Sequence, residues 1–491
     1  MKILLIAPYF QDDNYPLYLP SENLGIAYIA SLLRQYQYDV DIKDLNMNRI
    51  KAEDSFLHID YNEYNVVGIS VCFQLLHAES IILSNTIKRI NKHAKVILGG
   101  HYPTFAYKEI FKECANIDII VRGDGEYTFL ELVKCINEDN GYDNVLGVSF
   151  LKENEIYSTA NRPLLRDLDI LPWPSRDTLH EITNKYNHAW PTQITTSRGC
   201  FCHCNFCGIR AFYNSVWRGR DAKDVVDEIE YLNHKFGSYV FRLSDDEFFG
   251  KGIKCKERTV KIAEEILKRN LKIQLMISAR ATDVDEELFK FLKLAGMNSC
   301  LIGIESGVDR ILKLYNKHCS VDENINAIQI LKKLGITLNL AFIMFDPRMT
   351  FEELRVNYFF LKNNQIMNAE ALKSNLWILR GSQLETDFLN DNLLYGNRYN
   401  PFYEFADSQV GEFYKIVQAL KRETYNIEKY IFNIRINKKL TEVNVNLIER
   451  YEKTWISVFE NRLERNNKLD SKTVFEEFES IYINFKEEDL K

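Results

Sequence analysis

Short apolar runs, each followed by a stretch with helical periodicity, occupy residues 1–140. Ile3–Ala7 is wholly apolar, as a strand buried on both faces of a parallel sheet must be. Pro8 ends it, and a helix starts at Ser21 with Leu24, Ala27, Tyr28 and Leu32 on one face. The same reading places strands at Asp39–Lys43, Val66–Val71, Lys95–Leu98 and Ile117–Val121, and helices at Ala78–Asn91 and Tyr127–Ile136. Strands alternating with helices predict a doubly wound α/β domain, which takes its ligands beyond the carboxyl ends of its strands. Those ends carry Pro8, Ser70, Gly99, Gly100, Pro103, Thr104, Gly123 and Glu126. Glycine lets backbone approach a ligand closely, and the two hydroxyls donate or accept. No GxGxxG or GxxxxGK(S/T) is present, so neither a dinucleotide nor a nucleoside triphosphate is the obvious ligand.

The polar run Asn137–Gly141 closes this first domain. Residues 141–190 read as a hairpin, Val145–Leu151 and Glu155–Ser158, followed by a linker stiffened by Pro172 and Pro174. A second alternating series fills 191–385. Its strands are expected at Thr192–Ser197, Tyr239–Leu243, Ile273–Ile277, Ser299–Ile304, Thr337–Phe345 and Ser374–Leu379. Helices are expected between them, and these units fit most of a βα barrel, a partial (βα)6, whose chemistry sits in loops after the strands. Residues 386–491 read as helices, Tyr414–Arg422, Val443–Arg462 and Thr473–Phe485, with mixed charge and no metal or nucleophile constellation. A solvated helical cap is the expectation there, and a substrate lid or partner surface the alternative.

Composition narrows the function classes. Acidic residues outnumber basic ones, 69 to 62, for a net charge of −7, which gives no whole-protein electrostatic reason to bind nucleic acid. No uncharged apolar run approaches the roughly 18 residues of a membrane span, and the amino terminus lacks a signal-peptide pattern. A cytoplasmic protein of several domains is therefore expected. Ten cysteines in a reducing compartment point to metal ligation where they cluster.

They cluster once, in the loop after the first expected barrel strand, TSRGCFCHCNFC (residues 196–207). One triple has the spacing CxxxCxxC: Cys200, Cys204 and Cys207. Three such thiolates can ligate three irons of a 4Fe-4S cluster and leave the fourth open. The alternative is a zinc knot, since four cysteines and His203 are zinc ligand types; zinc sites usually pair two knuckles, and no second one follows. Cys202 is surplus to the iron triple. Cys72, Cys114, Cys135, Cys255, Cys300 and Cys319 stand singly and read as small core or surface residues.

This loop resembles that of the radical S-adenosylmethionine superfamily. The resemblance implies that the open iron chelates the methionyl amine and carboxylate of S-adenosylmethionine, whose reductive cleavage gives a 5′-deoxyadenosyl radical. Phe206 matches an aromatic position near the adenine. Asp246 and Glu247 end the second barrel strand, where the family contacts the methionyl amine. Ser278 and Arg280 end the third, with Arg280 suited to the carboxylate. Glu305 or Ser306, ending the fourth, would reach the ribose. An α/β domain before such a barrel is similar to the cobalamin-binding branch, as are the segments LGGHYPT, RGDGEYTF, DLDILPWPSRDTL and FIMFDPRMTFEEL. The resemblance covers residues 1–385 and makes the first domain the cobalamin domain, with the strand-end residues above as its contacts.

Many cobalamin proteins carry DxHxxG after the first strand; here that stretch, Pro8-Tyr9-Phe10-Gln11-Asp12-Asp13, has no histidine. His77 and His101, the nearest imidazoles, read as polar loop residues, and Phe73 and Gln74 are the candidates for cobalt's lower face. The resemblance implies a cobalamin-dependent methyltransferase acting on an unactivated carbon, reduced by a flavodoxin or ferredoxin. The alternative is a non-methylating cyclisation, ring contraction or rearrangement with the same cofactors. Methylthiotransfer to RNA fits poorly, since Cys72, Cys114 and Cys135 are scattered and the carboxyl-terminal region looks helical. A non-catalytic cobalamin or metal sensor is a minor alternative. The substrate, a small molecule, peptide or lipid, has no motif to name it.

Overall fold

The computed structural model describes residues 1–9, 21–186, 190–397, 399–436, 441–464 and 471–489. Residues 10–13 of the stretch that would carry a cobalt histidine lie outside the described residues. The first strands are Lys2–Ala7 (β1), Asp39–Asp44 (β2), Val66–Ser70 (β3), Lys95–Gly99 (β4) and Ile119–Val121 (β5). They pair in parallel in the order β2-β1-β3-β4-β5, a doubly wound order whose switch point lies between β1 and β3. All of β3 and β5 is buried, which is why these strands read as unbroken apolar runs.

The helix after β1 runs Leu24–Gln35 and starts later than Ser21, because the Asn23 side chain accepts from Ile26 N and caps it. A helix absent from the sequence reading, His101–Glu113, follows β4. Pro103 sits in its first turn, where a missing N–H leaves no bond unmade. The expected hairpin is Val148–Lys152 (β6) and Glu155–Ser158 (β7). It joins the first domain: β6 pairs antiparallel with β5 and, with β7, extends the first sheet to seven strands.

The linker is tied to both domains. Arg176 pairs with Glu22 of the first domain at 2.5 Å and with Glu228 of the barrel at 2.8 Å, and Trp173 Nε1 donates to Asp224 at 3.0 Å. The second series then forms Thr192–Ile194 (β8), Ser197–Arg198 (β9), Arg218–Gly219 (β10), Val240–Leu243 (β11), Gln274–Arg280 (β12), Met297–Glu305 (β13) and Thr337–Phe342 (β14). Five of these make a parallel sheet, β14-β13-β12-β11-β8, while β9 and β10 pair antiparallel beside it. The break inside the expected strand Thr192–Ser197 has a cause. Asp245 accepts from Thr196 N at 2.7 Å and Ser197 N at 2.9 Å, so these amides leave the barrel ladder.

Ser374–Leu379 is not a strand. The helix Ala369–Lys373 precedes it, and one parallel bridge, Phe345–Asn375, holds the sixth barrel position. Further along, the side chain of Gln74 takes Ile378 O (3.0 Å) and Arg380 N (2.9 Å), which removes those groups from any barrel pairing.

Beyond the barrel a small hairpin, Leu394–Asn397 (β15) and Asn400–Tyr403 (β16), appears where strands were expected to stop. Helices Ser408–Glu423, Tyr425–Ile436, Glu442–Phe459 and Ser471–Asp489 follow. They are not a solvated cap. Phe413, Trp455 and Phe459 belong to the same buried cluster as barrel residues Leu275, Ile302 and Phe345. A buried Lys373–Glu428 ion pair, joined by Tyr451, ties the barrel to these helices. Among the described residues no helix is long and apolar enough to cross a membrane.

Candidate active site

The cysteine loop leaves β9 through Gly199, whose φ of +83° and a Cβ position 2.1 Å from Val216 O admit only glycine. Its N–H donates to Asp246 at 2.9 Å. The loop is then pinned from behind: Asn205 N donates to Tyr315 O (2.9 Å), Asn205 Nδ2 to Leu314 O (3.2 Å), and Asn316 Nδ2 to His203 O (2.8 Å). Phe206 meets Tyr315 edge-on at 5.3 Å. The cluster thus receives a fixed frame from the turn after the helix Asp309–Leu314.

Hydrogen bonding from Cys202 lowers the Cys200 thiol to about 7, and the same contact raises Cys202. Burial raises Cys204 and pushes Cys207 up to about 12. Lys317 and Arg280 oppose burial at Cys204 by charge, so the loop sits under two cations that favour thiolates. Among the described residues no group of three His, Cys, Asp or Glu side chains is placed to hold a single metal ion; irons in a cluster each take their own thiolate.

The strand-end residues divide. Asp246, raised to about 6 by burial, holds Gly199 and lines the cavity described below, as does Ser278. Burial, with Asp283 beside it, lifts Glu247 to about 9; its carboxyl accepts from Phe249 N at 2.7 Å. Arg280 donates to Lys317 O at 2.6 Å and lies 6.0 Å from the Phe201 ring, while its Nε is buried with no partner. Glu305 pairs with Lys317 at 2.8 Å. Ser306 is fully buried and bonds Asn357 at 2.9 Å, as a structural tie would. Neither faces the cavity.

One cavity of about 870 Å³ joins the two sheets. From the first domain it is lined by Pro8, Ser70, Phe73, Gln74, Gly99, Gly100, Gly123 and Glu126, all expected from sequence. Pro103 and Thr104 do not line it. Thr104 spends its hydroxyl on Gly100 O (2.8 Å) and Gly123 N (3.0 Å), fixing the floor from below. Gly100, at φ +115°, is required by its turn, since a Cβ would meet Val71 O at 2.8 Å. Gly123 differs: nothing lies within 4 Å of its Cβ position.

Two further candidates are already engaged. Glu126 pairs with Arg198 at 2.6 Å, and Asp124 with Arg218 at 2.8 Å, so RGDGEYTF clamps the barrel. Gln74 spends its amide on Ile378 and Arg380. Neither histidine is a loop residue. His77 is buried, paired with Glu113 at 2.5 Å and set between Tyr102 and Tyr399. His101 stacks on Phe212 at 5.3 Å and packs on Gly208 next to Cys207; burial lowers its pKa.

Several residues escaped the sequence reading. Asn23 donates to Ser70 at 3.1 Å and reaches Cys72 at 3.8 Å on the cavity floor. Lys317, Tyr213 and Trp377 carry no motif. Arg242 had a usable signal: between Phe241 and Leu243 on a barrel strand, period-two alternation turns it inward.

An α/β domain whose switch point faces a partial barrel carrying CxxxCxxC is the arrangement of a radical enzyme with a second cofactor domain. Residues 194–361 match the radical SAM superfamily and residues 17–133 the B12 binding domain. The chain is 30% identical over 371 residues to an uncharacterized methyltransferase, PH0819, of Pyrococcus horikoshii, covering 75% of this chain and 80% of that one. It is 35% identical over 372 residues to an anaerobic magnesium-protoporphyrin IX monomethyl ester cyclase of Cereibacter sphaeroides, covering 73% and 59%. The solved structure of OxsB, a cobalamin-dependent S-adenosylmethionine radical enzyme, superposes with a TM-score of 0.77 at 20% identity over 99% of this chain and 79% of that one.

The chain belongs to the cobalamin-binding radical S-adenosylmethionine family. Its cofactors are a 4Fe-4S cluster, S-adenosylmethionine and cobalamin, and it needs an external reductant. The residues present fit these groups: three cysteines on a rigid loop, an unpaired Arg280 Nε beside it, and a cavity at the switch point over the open Gly123.

Proposed function

We propose that this enzyme methylates an unactivated carbon of a small substrate held between the two sheets. One observation carries the reading: a single cavity runs from the β1/β3 switch point into the barrel, where Asp246 and Ser278 line it, so a group held by the first domain and one held at those strand ends share one space. When bound, the cofactors supply the radical that removes hydrogen and the methyl group that replaces it. Cys200, Cys204 and Cys207 would hold the cluster, with Arg280 and Lys317 balancing its thiolate charge. Phe206, Asp246, Glu247, Ser278 and the free Nε of Arg280 would seat S-adenosylmethionine; Glu305 acts there through Lys317. Pro8, Ser70, Phe73, Gly99, Gly100 and Gly123 would cradle cobalamin. The two sheets and the Trp377–Arg380 segment wall the cavity, which limits water near a reactive carbon.

The name of the Pyrococcus relative supports methyl transfer. The name of the cyclase, at 35% identity, favours one other reading, ring closure with the same cofactors. A flavodoxin or ferredoxin in the cytoplasm would supply electrons, since the cluster loop needs reduced thiols. The test is anaerobic: protein reconstituted with iron, sulfide and cobalamin, dithionite and S-adenosylmethionine added, 5′-deoxyadenosine and product mass measured. Deoxyadenosine that disappears in Cys204→Ala with cobalamin retained is the expected result. A product heavier by one methyl group supports methylation, and an unmethylated product supports the cyclase-type reading.

A further inference from the structure

The barrel interior has an unused cation. Side chains of a barrel strand alternate between the lumen and the helical layer. Phe241 and Leu243 are buried outward, so Arg242 between them faces the lumen, where it lines the cavity. In register with it stand Gln193 on β8 and Met276 on β12. Ser244, Ser278 and Leu301 line the same space. A closed βα barrel fills its interior with bulky branched side chains; here small and polar ones leave room.

No hydrogen bond, ion pair or aromatic face among the described residues engages the Arg242 guanidinium. The acids nearest in sequence are committed elsewhere: Asp245 to Thr196 and Ser197, Asp246 to Gly199, Glu247 to Phe249. Ser244 donates to Gln193 Oε1 at 3.0 Å, which orients the Gln193 NH2 outward from that contact. A half-buried guanidinium that no neighbour engages gains from a counter-charge placed directly on it. Its planar fork of donors matches an oxyanion bidentately. We infer that the substrate carries an anionic oxygen group, phosphate or carboxylate, which Arg242 seats in the barrel lumen with Gln193 and Ser278 beside it.

This rests on the proposed function for the identity of the site, and the methionyl carboxylate is the second source of the same chemistry. The test fills that source first. Protein reconstituted anaerobically with cluster and cobalamin is saturated with S-adenosylmethionine, then dialysed against labelled inorganic phosphate, with acetate in a parallel arm. Wild type is expected to bind one of the two anions in roughly the millimolar range. Arg242→Gln should weaken that by at least about tenfold, and Arg242→Lys less, since it keeps the charge and loses the fork. Cobalamin and S-adenosylmethionine contents should equal wild type in both variants. Equal anion binding by wild type and Arg242→Gln overturns the assignment, as does a wild type that binds neither anion. Loss of S-adenosylmethionine from Arg242→Gln with anion binding unchanged overturns it too, by giving the cation to the methionyl group. A wild type that retains no cobalamin or cluster defeats the proposed function instead, while the anion arms still read Arg242.

Discussion

Asp44 ends β2 at the rim of the cavity, where its carboxyl accepts from Met47 N at 3.1 Å and caps the next turn. Burial, reinforced by the nearby carboxyls of Glu22 and Glu181 and opposed by that amide, raises it to about 7. A carboxyl raised in the fold holds its proton where the unfolded chain has released it. Its stabilisation is therefore whole below about pH 4, falls as pH rises, and is gone above about pH 7. Asp44→Asn keeps an acceptor for Met47 and removes the titration. Urea unfolding of the apoprotein at pH 5 and pH 7.5 should show wild type losing on the order of 2–3 kcal/mol more than the variant over that interval. Equal losses would mean that Asp44 is ionised throughout. The same scale shows why strand-end residues in the sequence reading met different fates. Gly123 and Ser70 reach the cavity because their backbone ends there, whereas Thr104 turns its hydroxyl to the chain itself.

At the scale of elements, the end of β5 and the short β9/β10 pair form a clamp. Arg198 lies between Asp124 and Glu126, over the Tyr28 ring at 5.0 Å. Tyrosine and both carboxylates come from the first domain; the arginine leads straight into Cys200. Arg198→Met should cost about 3–5 kcal/mol, because it strands the buried Glu126 carboxylate without a counter-charge, while Asp124 keeps Arg218. Adding Glu126→Gln should recover part of that loss, which unfolding midpoints of the single and double variants will show. Iron content should fall in Arg198→Met, since the loop loses its anchor on the first domain. The RGDGEYTF segment was legible as a strand end with chemical groups. Its actual role required knowing that residues 72 positions apart meet.

At the scale of the whole molecule, the ties between the domains include Arg176 to Glu22 and Glu228, Glu126 to Arg198, Asp124 to Arg218, and Gln74 with Arg380 across the far wall. Arg380 itself pairs with Glu109 at 2.5 Å and Glu385 at 2.6 Å. Arg176→Met removes the cation shared by two buried carboxylates, and burial already raises Glu22. We expect calorimetry of the variant to separate one unfolding transition into two, with the first domain melting earlier, and cobalamin retention to drop in step. A single transition with an unchanged midpoint would show that the sheet-to-barrel packing holds without this ion pair. The carboxyl-terminal helices stand differently: they share the barrel's apolar core, so they should unfold with it.

The sequence by itself determined what is local. Apolar runs of strand length, the CxxxCxxC spacing, the glycine after β9 and the alternation on each strand follow from neighbours a few residues apart, and the fold kept them. Tertiary structure decided what depends on partners far along the chain. Gln74 finds Ile378 across 304 positions and Arg176 finds Glu22 across 154, so neither could be read as a tie. The sixth barrel strand failed for the same reason, because a distant side chain took its backbone groups. Arg242 is the converse: its inward direction is written in the strand, but only the packed barrel shows that no other described residue answers its charge.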